Sequence, residues 1–132
     1  MNSEAAKRAV NPASPEQVFF AALRQGTPMI QCCETCRKRF FFPRTHCPTC
    51  DAEHYAWVPM TRTGTLYSFS EIPGYGESAG RNVVLIDMDD GFRMMSTVPG
   101  AAPGALAIGM RLRAIVDPST EPPRLVLEET SE

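Results

Sequence analysis

The chain of 132 residues has no long apolar run and no large excess of charge of either sign. No stretch approaches the roughly eighteen apolar residues a membrane helix needs, which excludes a helical membrane span. Met1 to Asn11 is polar and alanine-rich without an apolar stretch, so no secretory signal is read there and a reducing cytoplasmic setting is expected. Lys and Arg total 13 against 15 Asp and Glu, a net charge of −2. Such a balance gives no global positive field to draw in nucleic acid. Histidine is scarce, with His46 and His54 close together. No phosphate-binding glycine loop appears, since Gly74-Tyr75-Gly76 is a lone pair in a loop. Prolines number 12 and glycines 9, which argues for turns and short strands rather than a helix bundle. The apolar fraction of 43% and charged fraction of 21% are ordinary for one modest globular core, with at most a small appendage.

What the chain does have is cysteine in a telling arrangement. Cys33-Glu34-Thr35-Cys36 and Cys47-Pro48-Thr49-Cys50 form two C-x-x-C knuckles with ten residues between them. Each tight turn points two thiolates at one spot. Two turns brought together give the four-sulfur tetrahedron that Zn²⁺ takes in closed structural sites. The spacer Arg37 to His46 reads as a β-hairpin arm, shorter than in the general two-pair signature, so the assignment rests on knuckle geometry. Disulfides and thioredoxin-type redox chemistry are the competing readings. A reducing compartment disfavours the first, and the second needs a single C-x-x-C opening a helix. Cys32 is the odd cysteine and is expected to face away from the metal as a buried or half-buried bystander. His46 and His54 flank the second knuckle; either can replace a sulfur in principle, but with four cysteines in place they read as surface or supporting residues.

The remainder divides by pattern. Residues 1–13 read as a flexible tail. Over 14–26, Ser14 caps, Pro15 fits the first helical position, Gln17 completes a capping box and Gly26 ends the run. Val18, Phe19, Ala22 and Leu23 follow at helical spacing. This short helix either packs on its own domain or docks on a partner. Residues 27–59 read as the zinc ribbon, whose small core leaves much of its folding energy to the metal. From residue 60 to 128 the pattern is all-β. Gly64 to Ser70 alternates, and Asn82 to Met88 reads as a strand buried on both faces. Asp89-Asp90-Gly91 is a hairpin turn, and Phe92 to Val98 returns. Ala105 to Ile108 reads as a short turn of helix, while Met110 to Val116 and Arg124 to Leu127 complete about five strands of a small barrel. Residues 129–132 close the chain as a solvated acidic tail.

The order of these pieces resembles the family of acyl-CoA-associated OB-fold proteins with an N-terminal rubredoxin-like zinc ribbon. Gln31-Cys32-Cys33-Glu34-Thr35-Cys36 resembles that family's entry to the ribbon. Phe42-Pro43-Arg44-Thr45-His46-Cys47-Pro48-Thr49-Cys50 resembles its second knuckle with one proline missing. Trp57-Val58-Pro59 and Gly64 to Ser70 resemble the exit and first barrel strand, Val83 to Gly91 the next strand and turn, and Ile108-Gly109-Met110 the start of a late strand. The resemblance spans roughly Pro15 to Leu127. It implies a mainly β chain, with a short helix and zinc ribbon ahead of a five-stranded OB-fold barrel. It also implies a non-catalytic subunit that accompanies thiolase-fold or related acyl-CoA enzymes (thiolases, acyltransferases, hydratases or aldolases), helping to hold the complex and shield the CoA thioester.

No catalyst is evident in the chain itself. A metal with four sulfur ligands, Cys33, Cys36, Cys47 and Cys50, keeps no open position. Cys32 lacks a neighbouring base, and Ser68 and Ser70 lie in a strand without one. For CoA phosphates the one dense basic cluster is Arg37, Lys38, Arg39 and Arg44, interleaved with Phe40 to Phe42. A solvated charged hairpin is the plainer reading of the same residues. The glycine-rich loop from Pro73 to Arg81 either lines an acyl channel, contacts the partner or simply connects strands. A nucleic-acid-binding OB-fold/zinc-ribbon module is the alternative function. Only Arg111 and Arg113, on one strand face, speak for it on the barrel.

Overall fold

A computed structural model describes residues 14–77 and 79–132. The tail expected over 1–13 lies outside the described residues. The first element is α1 (Pro15–Arg24). The Ser14 side chain accepts a hydrogen bond from the Gln17 N–H at 3.2 Å, and the Gln17 side chain accepts from the Ser14 N–H at 2.8 Å. That reciprocal pair is the capping box the sequence encodes. Gly26, at φ 77°, lets the chain leave the helix in a conformation that a side chain would oppose.

The helix packs on its own chain. Phe19 and Leu23 are buried in the main core. Around Phe19 the rings of Phe20, Phe41 and Phe42 lie 5.2, 5.6 and 5.9 Å away, all edge to face. Phe41 in turn stacks on Phe92 at 6.1 Å. The helix is therefore a wedge whose apolar face touches the ribbon through Phe41 and Phe42 and the larger sheet's core through Leu23.

The ribbon sheet has three strands in the order β2-β1-β3: β1 (Met29–Cys33), β2 (Arg39–Phe40) and β3 (Tyr55–Pro59). Here the structure corrects the expected hairpin arm between the knuckles. Only Arg39 and Phe40 of the spacer are extended, and they pair back onto Cys32 and Gln31 of β1. The hairpin thus closes around the first knuckle, and residues 41–46 form no strand. The aromatic run explains the break: Phe41 and Phe42 turn out of the ribbon to meet α1, which a continuing ladder would prevent.

The second sheet has five antiparallel strands in the order β6-β5-β4-β7-β8: β4 (Thr63–Ile72), β5 (Arg81–Met88), β6 (Arg93–Ser96), β7 (Arg111–Asp117) and β8 (Arg124–Glu129). Its inner face carries the core, with Leu66, Val84, Ile86, Leu112, Ala114 and Leu127 all essentially inaccessible. Gly64 is required where β4 crosses β5, because a Cβ there would lie 2.5 Å from the Asp87 carbonyl oxygen. The ladder does not close into a complete barrel. Among the described residues, two bonds link β8 to the end of β6: Leu127 N–H donates to the carbonyl of Thr97, just beyond β6, at 2.9 Å, and the Ser96 hydroxyl donates to the Leu125 carbonyl at 2.6 Å.

Three finer expectations also change. β5 is buried on one face only: Asn82, Val84, Ile86 and Met88 point inward, while Val83 is 37% exposed. Residues 105–107 are irregular and Ile108 begins a turn, with no helix over this stretch, although Leu106 still reaches the core. The acidic end is partly structured. Glu128 and Glu129 belong to β8, opposite Arg113 and Leu112, and Glu132 pairs with Arg113 at 2.9 Å. Arg113 of β7 holds that end by this ion pair. Among the described residues no helix is long and apolar enough to cross a membrane.

Candidate metal centre

The two knuckles repeat one backbone design. Cys33 N–H donates to the Lys38 carbonyl at 2.9 Å, and Arg37 N–H to the Cys33 carbonyl at 2.9 Å. Fourteen residues on, Cys47 N–H donates to the Ala52 carbonyl at 2.9 Å, and Asp51 N–H to the Cys47 carbonyl at 2.8 Å. The residue that turns each loop is left-handed without being glycine, Arg37 at φ 67° and Asp51 at φ 66°. Such a conformation is uncommon for a residue bearing a side chain, most of all for arginine, and persists because the flanking bonds fix it. Inside each loop, N–H groups also point at the first sulfur: Thr35 and Cys36 at Cys33, and Thr49 at Cys47, each at 3.4 Å.

This design brings the Sγ atoms of Cys33, Cys36, Cys47 and Cys50 within 4.8 Å of one another. Cys33 to Cys50 is 3.5 Å and Cys36 to Cys47 is 3.6 Å. A tetrahedral zinc with Zn–S near 2.3 Å requires sulfurs about 3.8 Å apart, so the four thiols are positioned to bind one metal ion. The electrostatics agree. The Cys36 N–H, helped by that of Thr35 and opposed by burial, holds the Cys33 thiol down to about 6. Burial raises Cys47, yet the N–H groups of Cys50 and Thr49 bring it below the usual value. Cys50 goes the other way. The Ala52 N–H lowers it, but burial and the other three thiols push it up to about 12. Cys36 is raised as well, the lowering by the Lys38 N–H being outweighed by burial and the Cys47 thiol. Four sulfurs this close cannot all carry negative charge unless a cation sits among them. A four-sulfur shell leaves no open position for water or substrate, which is the form of a structural site.

The neighbouring candidates stand apart from that cluster. Cys32 is half-buried, its sulfur 3.6 Å from the Arg37 carbonyl oxygen. His46 lies at the surface, 2.9 Å from the Thr45 hydroxyl and 3.7 Å from Glu53. His54 is exposed, and its carbonyl accepts the Glu34 N–H at 3.0 Å. Of the basic cluster, Arg37, Lys38 and Arg44 are exposed. Arg39 is turned to the larger sheet instead, where its guanidinium lies 3.3 Å from Asp90 in the β5–β6 turn. Arg111 and Arg113 are likewise engaged within the chain, with Asp89 and Glu132.

Sequence reasoning gave Gln31 no role beyond a motif position. It is 1% exposed on β1, and its amide bonds the backbone of Arg44 twice, donating to the carbonyl at 2.6 Å and accepting from the N–H at 2.9 Å. A polar residue between Ile30 and Cys32 on a central strand was the available signal. The partner could not be read, because it lies thirteen positions away in an irregular segment.

Together, the ribbon with its four converging thiols and the five-stranded sheet define a zinc-ribbon/OB-fold protein. Two sequence families match in tandem: the rubredoxin-like zinc ribbon domain of ChsH2 over residues 20–54, and the C-terminal OB-fold domain of ChsH2 over residues 57–117. The chain belongs to this ChsH2 family of zinc-ribbon and OB-fold proteins. It is similar to a probable enoyl-CoA hydratase alpha subunit of Thermomonospora curvata, 28% identical over 95 residues, 70% of this chain and 30% of that one. It is also similar to the benzoylsuccinyl-CoA thiolase subunit BbsA of Thauera aromatica, 33% identical over 75 residues, 55% of this chain and 51% of that one. The chain thus spans about a third to a half of the length of these relatives. Among solved structures, the Ltp2-ChsH2(DUF35) aldolase matches with a TM-score of 0.72 at 24% identity, covering 92% of this chain and 97% of the other. A DUF35-family protein of unknown function from Sulfolobus solfataricus matches at 0.63 and 18%, covering 94% and 92%. At these identities the structural likeness is one of fold.

Proposed function

We propose that this chain is a non-catalytic, zinc-binding accessory subunit of a thiolase-fold or related acyl-CoA enzyme, with Cys33, Cys36, Cys47 and Cys50 holding one structural zinc. The carrying observation is the closed four-thiol cluster in a ribbon wedged onto an OB-fold sheet, in a chain whose relatives bear the names of hydratase and thiolase subunits. The natural division falls near residue 59, with the ribbon before it and the OB-fold half after it to about residue 128. In this reading the partner performs the chemistry. The ribbon and sheet stabilise the complex and shield the CoA thioester, and Arg37, Lys38 and Arg44 face its phosphates while Arg39 keeps the two halves of this chain together.

The outer face of β4–β5–β6 supports association with a protein. Tyr67, Val83 and Met95 are 50%, 37% and 64% exposed on it. Tyr67 is thrown outward by the register shift between Leu66 and Ser68, and Arg93 sits over its ring at 3.7 Å. Arg93 is itself neutralised by Asp87 at 2.6 Å. An apolar patch with self-paired charges suits a protein surface better than a polyanion. A nucleic-acid groove would instead carry unpaired cations beside aromatic platforms.

The test is capture of the tagged protein from its own host at high salt, with bound chains identified by mass spectrometry. A near-stoichiometric thiolase-fold, hydratase or aldolase chain is expected, and Met95→Asp should abolish its recovery while leaving the zinc in place. Recovery of RNA, or of ribosomal or polymerase subunits, would contradict the reading. So would turnover of an acyl-CoA by the isolated chain.

A further inference from the structure

The two knuckles are supported unequally. The first is anchored by the ribbon sheet, because Cys33 is the last residue of β1 and is paired with Tyr55 of β3. The second follows residues 41–46, which form no strand, and among the described residues no backbone–backbone hydrogen bond outside the strand ladders involves them. The Gln31 side chain fills that gap. Its amide offers Arg44 one donor and one acceptor, as a neighbouring strand would, three residues before Cys47. Arg44 itself is exposed, whereas Gln31 is 1% exposed on the central strand between Phe40 and Trp57. No longer or shorter polar side chain reproduces both bonds, because only glutamine combines this reach with an amide that donates and accepts.

We propose that Gln31 is a positioning residue for the metal: by pinning Arg44 to β1 it sets the distance and direction from which Cys47 and Cys50 meet Cys33 and Cys36. The inference rests on the zinc reading of the four cysteines. Losing either bond leaves a buried amide or backbone group unpaired and lets the second knuckle drift relative to the first. That penalty falls on the metal-bound state, in which the four sulfurs must be about 3.8 Å apart. Groups that orient metal ligands without touching the metal commonly change affinity by about 10- to 100-fold when replaced.

The experiment uses the full zinc-loaded chain and a competing chromogenic chelator. Gln31→Met keeps length and volume while removing both bonds. It should bind zinc about 10- to 100-fold more weakly than wild type. Its cobalt-substituted form should show altered d–d bands, reporting a distorted tetrahedron. Ile86→Val, in the core of the larger sheet, should lower the unfolding midpoint without changing zinc affinity or the cobalt spectrum. If Gln31→Met lowers the midpoint but keeps wild-type zinc affinity and spectrum, the residue is merely structural and the proposal is overturned. A second measurement needs no variant. The Arg44 N–H of the zinc-loaded wild type should exchange slowly with solvent despite the exposure of its residue, and exchange at the free-peptide rate would overturn the clamp. Should the wild type take up no zinc or cobalt, the metal reading fails and the clamp with it.

Discussion

The two halves of the molecule are held by different physics. The buried cluster of the ribbon is Cys33, Phe40 and Cys47, with Cys36, Ala52 and Tyr55 partly covering it. Half of that list is metal-facing sulfur. The core of the larger half runs through all five of its strands and continues into α1 and Ile30 of β1. Burial at about 25 cal/mol per Å² therefore suffices for the second half and cannot suffice for the first. A structural zinc contributes on the order of 10 kcal/mol to such a module, which is the scale of a whole small domain's stability. The difference teaches that one chain can pair a metal-dependent element with a self-sufficient one. The wedge of α1 and its phenylalanines is where the two are coupled.

The largest effect should come from breaking the metal side. Cys47→Ser should lose zinc and leave residues 29–59 without fixed structure while the five-stranded sheet persists. Zinc content by elemental analysis and near-ultraviolet dichroism would check both halves at once. Next comes the apolar side. Ile86→Ala removes a fully buried side chain from the larger core and should cost about 2–5 kcal/mol by denaturant unfolding, with zinc stoichiometry unchanged. The coupling itself is probed by Phe41→Ala, which removes the ring that touches both Phe19 and Phe92. Because that ring is only partly buried, a loss of about 2 kcal/mol is expected, together with faster exchange of the α1 amides.

The smallest effect is electrostatic. Arg111 holds the Asp89 carboxyl down to about 2 by a bidentate contact, with the Thr63 hydroxyl assisting. The pair is well exposed, so its worth is under about 1 kcal/mol. A depressed carboxyl stabilises the folded state above its ordinary value near 3.8, and that contribution is lost as pH falls towards about 2. Asp117 behaves in the same direction, held down to about 2 first by the Ser119 hydroxyl and N–H and then by Arg124. Asp89→Asn should therefore be slightly less stable than wild type at neutral pH, with the gap closing between pH 4 and pH 2 in parallel denaturant titrations.

Local chemistry was legible in the sequence, and partnerships across strands were not. The capping box at Ser14 and Gln17, the two knuckles, and the hairpin turn at Asp89 to Gly91 each depend on residues a few positions apart. The exposure of Val83 depends on which face of β5 the rest of the sheet covers, and an apolar run alone carries no such information. The outward turn of Tyr67 follows from a register shift that only the pairing with β5 reveals. The knuckle turns at Arg37 and Asp51 gave no glycine to announce a left-handed residue. Gln31 and Arg39 were visible as residue types, but their partners, Arg44 and Asp90, are 13 and 51 positions away.

The most direct test of this division is hydrogen exchange, followed by mass spectrometry, on the zinc-loaded protein before and after chelation. The account predicts that peptides from residues 29–59 lose their protection when the metal is removed while β4, β5 and β7 keep theirs. Protection that survives in the ribbon without metal, or that collapses in both halves together, would contradict it.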